Sequence, residues 1–134
     1  RLILMPVLDT SFIVDLLRGK EEALQKLAEM EAQEIPLSMT EVNVLELYRG
    51  AYLSRKTHQN LEEIKKLLEC FQVLELEEPV YEVFASLSAR LLSEGKPIGA
   101  FDELIAAITL LQEEQIVTRD NHFKEVPGLE VVGY

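Results

Sequence analysis

The chain has one cysteine, Cys70, among 134 residues. That excludes an internal disulfide and matches a reducing cytosol. Long hydrophobic runs are missing too: none approaches the ~20 residues a membrane helix requires. No basic-then-apolar leader opens the chain, so the expected setting is the cytoplasm. Positive charge is scarce, with 13 Lys and Arg against 24 Asp and Glu and a net charge of −11. A protein that binds nucleic acid over a broad basic face is thereby excluded. Contact with a polyanion would need a local basic patch or bound cations, and the field favours a basic partner.

Aspartate is scarce in an informative way. Of the 24 acids only Asp9, Asp15, Asp102 and Asp120 are Asp. Glu suits exposed helix faces, whereas Asp competes with the helix backbone. Each Asp therefore marks a place where a short carboxylate is wanted. What remains is ordinary for a globular protein: 48% hydrophobic and 28% charged residues. The length fits a single domain over residues 1–134, large enough to bury roughly 65–70% of its unfolded surface.

The apolar run at residues 2–9 has no alternation and predicts a strand buried on both faces, as in a parallel sheet. Thr10 and Ser11 offer capping hydroxyls to a helix that ends at Arg18 and Gly19. A second helix is expected from Lys20 to Ala32, burying Leu24, Leu27 and Met30. A short strand at 35–38 leads into Thr40, with Asn43 three residues on, and a helix with Val44, Leu47 and Tyr48 inward. Further helices are expected over Gln59 to Cys70, from Pro79 to Glu94, and from Phe101 to Glu113. Strands are expected at Phe71 to Leu76, Ile116 to Thr118 and Leu129 to Val132. Alternating strands and helices predict an α/β layer fold with a mostly parallel central sheet of four to five strands.

On this map Asp9 ends the first strand, Asp120 follows a late strand, and Asp102 opens an apolar helix. In open α/β sheets ligands bind at the carboxyl ends of strands, so these acids can converge on one crevice. Converging carboxylates repel one another unless a cation sits among them. An all-oxygen donor set selects Mg²⁺ or Mn²⁺, and such an ion suits phosphodiester hydrolysis. Each acid also has a plainer role: Asp9 as a helix cap, Asp102 and Glu103 as partners of a helix dipole, Asp120 as a turn former, Glu46 as a solvated helix position. Asp15 is expected to be a partly exposed helix residue. Cys70 is expected to be a small core residue, His58 a surface loop residue, and His122 a packing or capping residue. For the apolar faces Tyr48/Tyr52 and Phe84/Leu87/Leu91, core is the expected setting.

Four segments combine these features: VLDTSFIVDLLRG (7–19), MTEVNVLELYRGA (39–51), AFDELIAAITLL (100–111) and IVTRDNHFKEVPGLEVV (116–132). In order and spacing they resemble the four motif regions of PIN-domain proteins, and more narrowly the VapC toxins of VapBC toxin–antitoxin pairs. The resemblance spans essentially the whole chain. It implies a PIN-like three-layer fold and a Mg²⁺- or Mn²⁺-dependent endoribonuclease. It implies that Asp9, Glu46, Asp102 and Asp120 hold the metal, with Ser11 and Thr118 as nearby hydroxyls. It also implies a homodimer and a cognate antitoxin that holds the enzyme inactive. Glu103 departs from the pattern, standing where an apolar residue is more usual, and is not counted as a ligand.

The basic residues Arg49, Arg55, Lys56, His58, Lys65 and Lys66 fall together between residues 43 and 70, where they either track RNA phosphates or offset neighbouring glutamates. A phosphatase of the haloacid-dehalogenase type needs a second Asp two residues after the first, where this chain has Ser11. A receiver domain needs a Lys after a late strand, where Thr118 and Arg119 stand. Two alternatives remain: a catalytically feeble acidic module that binds a basic protein, and a DNA-directed nuclease, since carboxylates and metal do not by themselves tell RNA from DNA.

Overall fold

Val7 and Leu8 form the first strand, β1, and both are buried. Successive strand residues point to opposite faces. Val7 accordingly joins one core cluster with Leu87, Leu91, Ile105 and Ile108. Leu8 joins another with Phe12, Ile13, Met39, Leu47 and Ile64. Ile116 and Val117 divide between the same two clusters. The unbroken apolarity of these strands is thus the mark of a sheet covered on both sides.

The computed structural model describes residues 4–134. Part of the strand expected at 2–9 lies outside the described residues. In chain order the elements are β1 (Val7–Leu8), α1 (Thr10–Leu17), α2 (Glu21–Ala32), β2 (Ser38–Thr40), α3 (Glu41–Leu53), α4 (Thr57–Leu68), β3 (Gln72–Leu74), α5 (Glu78–Ser93), α6 (Ala100–Leu111), β4 (Gln115–Val117) and β5 (Glu130–Val132), with a 3₁₀ turn at Asn121–Glu125 before β5. The strands lie in the order β3-β2-β1-β4-β5, and every pair is parallel. The expected α/β architecture is therefore present, with a five-stranded sheet among the described residues. The order reverses direction between β1 and β4, which is where such sheets open a crevice at their carboxyl ends.

Local expectations met the structure unevenly. Thr40 and Asn43 form a reciprocal capping box at the start of α3, as their spacing suggests. The strand expected at 35–38 instead begins at Ser38, because Pro36 has no N–H to give a ladder. On α2 Met30 is buried and Leu27 packs partly buried against the same core, as expected, but Ala23 takes the inward place expected of Leu24, which is exposed. Cys70 is exposed, just past α4, rather than in the core. Tyr52 is 68% exposed, against the expectation of core. Leu87 and Leu91 are buried as expected. His58 is exposed, in the first turn of α4, where it faces Glu62 at 3.2 Å.

Candidate active site

Asp9 directly follows β1 and is 2% exposed. Its backbone N–H donates to the Val117 carbonyl (3.0 Å), so the ladder to β4 continues up to the acid itself. It occupies the cap position of α1 without capping it by its side chain. Instead, Oδ2 accepts hydrogen bonds from Ser11 Oγ (2.9 Å) and Thr118 Oγ1 (2.8 Å). Thr118 Oγ1 also accepts from the Asp120 backbone N–H (3.0 Å). One hydroxyl just past β4 thereby ties the two acids at the ends of the central strands.

Glu46 lies on α3, half-buried, and its Oε1 accepts from Thr10 Oγ1 at 2.6 Å. Thr10 in turn accepts from Asn43 Nδ2 (2.9 Å), whose Oδ1 is held by the Thr40 backbone N–H and hydroxyl. The capping box of α3 is therefore the anchor of a relay, Thr40 to Asn43 to Thr10 to Glu46, that sets the position of the carboxylate. Asp102, in the first turn of α6, meets His122 Nε2 at 2.8 Å. Glu103, its neighbour, is buried and turned away: its Oε2 accepts from the Ile98 N–H (3.2 Å) and fixes the turn before α6.

The electrostatics join these acids. Burial raises the Asp9 carboxyl above its ordinary value; the Thr118 and Ser11 hydroxyls partly offset this, and the charge of Asp120 raises it further. Burial likewise raises Glu46, with Thr10 opposing and the charges of Asp102 and Asp9 adding to the rise. Asp102 is raised by burial, opposed by His122, and raised again by Asp9 and Asp120. Each of the four acids named from the sequence is thus linked by charge to at least one other, and repulsion among desolvated carboxylates favours a bound cation.

Among the described residues no three acidic, His or Cys side chains close into a ready-made metal cage. One oxygen each of Asp9, Glu46 and Asp102 is engaged, by Ser11 and Thr118, by Thr10 and by His122 respectively. Mg²⁺ does not require such a cage, because it keeps several waters and binds through one or two carboxylates. The all-oxygen donors and their unbalanced negative charge fit such an ion.

The structure adds partners that sequence reasoning missed. His122 was expected only to pack or cap, and Thr10 and Asn43 only to cap helices. Their long-range bonds have no local signature. Asp15 was expected to be partly exposed but is 3% exposed. Tyr134 Oη donates to its Oδ2 at 2.6 Å, and Arg119 Nε lies 3.6 Å from the same oxygen. A buried carboxylate is tolerated when given such partners. The basic residues Arg49, Arg55, Lys56, Lys65 and Lys66 are all exposed, on α3, α4 and the turn between them. Arg49 sits 5.5 Å from the centroid of the Phe101 ring.

Known proteins share this arrangement of elements. The chain is 26% identical over 124 residues to the tRNA(fMet)-specific endonuclease VapC of Shigella flexneri, covering 92% of each chain. It is 27% identical over 128 residues to Ribonuclease VapC1 of Haemophilus influenzae strain R2866, covering 92% of this chain and 93% of that one. The solved structure of VapBC-1 from nontypeable Haemophilus influenzae superposes with a TM-score of 0.86 at 25% identity, over 97% of this chain and 98% of that one. A chain of VapBC2 from Rickettsia felis, bound to a promoter DNA fragment, has the same fold, with a TM-score of 0.90 at 21% identity over 98% and 99% of the two chains. The family model of the PIN domain matches residues 7–129, and the chain belongs to the PIN domain family.

Proposed function

We propose that this chain is a divalent-metal-dependent endoribonuclease, the toxin of a cytoplasmic toxin–antitoxin pair, folded as one domain over residues 1–134. The observation that carries the proposal is the gathering of buried Asp9 with half-buried Glu46 and Asp102 at the carboxyl end of the sheet, each raised by burial and by the charge of a neighbouring acid, Asp120 among them. The VapC relatives, named as an endonuclease and a ribonuclease, support hydrolysis of RNA. A Mg²⁺ or Mn²⁺ ion held by these four acids would lower the pKa of a bound water and offset charge on the scissile phosphate.

The chain's own groups do the positioning. Ser11 and Thr118 orient Asp9, the relay from Thr40 through Asn43 and Thr10 orients Glu46, and His122 orients Asp102. Such partners set the direction of a ligand oxygen and its basicity. The exposed cations on α3 and α4 supply a local basic strip on a chain of net charge −11, and contact phosphates flanking the cut. The same negative field suits a cognate antitoxin that presents a basic segment to the acids, in line with the VapBC complexes among its structural neighbours. A homodimer completes the assembly.

The test is incubation of purified protein with a pool of structured RNAs and Mg²⁺, Mn²⁺ or EDTA, beside an Asp9→Asn variant. Metal-dependent cleavage by the wild type alone is expected. Equal cleavage by both proteins, or cleavage that persists in EDTA, would remove the acids from the chemistry.

A further inference from the structure

An open cleft of ≈310 Å³ runs beside the acids, lined by Glu46, Arg49, Ile98, Gly99, Phe101 and Asp102 among others. Two of the four acids thus share a wall with an aromatic ring and a guanidinium. Phe101 is 40% exposed, and a lone exposed Phe would be unremarkable. Its position is what matters: it immediately precedes Asp102 in the first turn of α6, and Arg49 from α3 lies against the ring at 5.5 Å. Gly99, at φ 101°, lets the chain turn into α6 so that this ring stands in the cleft wall.

A strand whose phosphate lies at the acids must send its neighbouring base somewhere nearby. Unpaired bases are held by stacking on aromatic rings and Arg planes, with the cation also serving phosphates. We propose that Phe101 and Arg49 form a stacking platform for an unpaired nucleobase next to the scissile phosphate. The inference rests on the nuclease function proposed above. Arg49 braces the ring and offers its remaining donors to the backbone. In a chain this acidic, a base-stacking contact adds affinity without further positive charge.

The test is binding of a short single-stranded oligoribonucleotide in Mg²⁺, read by fluorescence anisotropy in an uncleaving Asp9→Asn background. The same strand with abasic sugars serves as the control. Phe101→Leu should weaken binding of the intact strand roughly 5- to 150-fold, the range of one lost base stack, and leave the abasic strand unchanged. Phe101→Tyr should keep the affinity, which separates the ring face from general packing. Equal binding of the intact strand by the Leu variant and its parent would overturn the platform alone. No binding of either strand by the parent would also overturn the platform, and the nuclease function is read separately by wild-type cleavage in Mg²⁺ or Mn²⁺.

Discussion

Two buried aspartates six residues apart, Asp9 and Asp15, solve the same problem in opposite ways. Asp15 receives a phenolic hydroxyl from Tyr134 and a guanidinium from Arg119. Tyr134, whose ring also packs edge-on against Phe12 at 4.7 Å, is pushed well above the ordinary tyrosine pKa by burial and by Asp15, so it stays a donor. Asp9 receives only neutral donors, the Ser11 and Thr118 hydroxyls and the Thr10 backbone, and its charged neighbour is another carboxylate, Asp120. A buried carboxylate with its own cation has its charge balanced as folded, although Asp15 Oδ1 accepts no hydrogen bond among the described residues. One that faces further acids is complete only with a cation from outside.

Substitutions that remove each charge should break the pair apart. Losing a metal ligand costs more than the roughly 10- to 100-fold typical of a group that merely orients one. Asp9→Asn is therefore expected to lose all measurable RNA cleavage. The same change should leave the metal-free protein as stable as before or raise its melting temperature. The folded pKa of Asp9 is raised, so its contribution to stability is lost as pH rises through that value, and an uncharged Asn escapes the loss. Asp15→Asn should do the reverse. It forfeits a charged hydrogen bond and an ion pair, lowers stability by about 1–3 kcal/mol, and leaves metal affinity intact in the folded protein. Thermal melts with EDTA, set beside cleavage rates, decide both.

Thr118→Val sharpens the contrast at one atom, removing a donor to Asp9 and an acceptor for the Asp120 N–H. Metal affinity should fall by about 10- to 100-fold, with Thr118→Ser restoring it; calorimetric Mn²⁺ titration reads the change. The smallest effect is expected far from either aspartate. Replacing Arg55, Lys56 and Lys65 by Ala should weaken RNA binding and reduce its salt slope by roughly 0.7 per lost phosphate contact. An unchanged salt slope would assign those cations to neighbouring glutamates instead.

The sequence made the strand ends legible because their chemistry is local. An apolar run stopping at Asp9, and Ile116 and Val117 stopping short of Asp120, place two acids at the sheet's carboxyl edge without tertiary information. Glu46 carried no such mark; between Leu45 and Leu47 on a helix it reads as any solvated Glu, and only the family resemblance singled it out. The bonds that position the acids were illegible, since His122 and Asp102 are 20 residues apart and Asn43 and Thr10 are 33 apart. Burial of Asp15 was missed for the same reason: its partner Tyr134 lies 119 residues away. Leu24 and Cys70 failed differently, because helical spacing finds a face but not its edge or its end. On α2 the smaller Ala23 is the residue that turns inward.

If Asp9, Glu46, Asp102 and Asp120 act as one metal site, Mn²⁺ binding followed by electron paramagnetic resonance will register the loss of any one of them. The wild type and the Asp9→Asn, Glu46→Gln, Asp102→Asn and Asp120→Asn variants would be titrated in parallel. One class of site is expected that each of the four substitutions weakens, whereas Asp15→Asn leaves it unchanged. Wild-type affinity in any two of the four variants would contradict it.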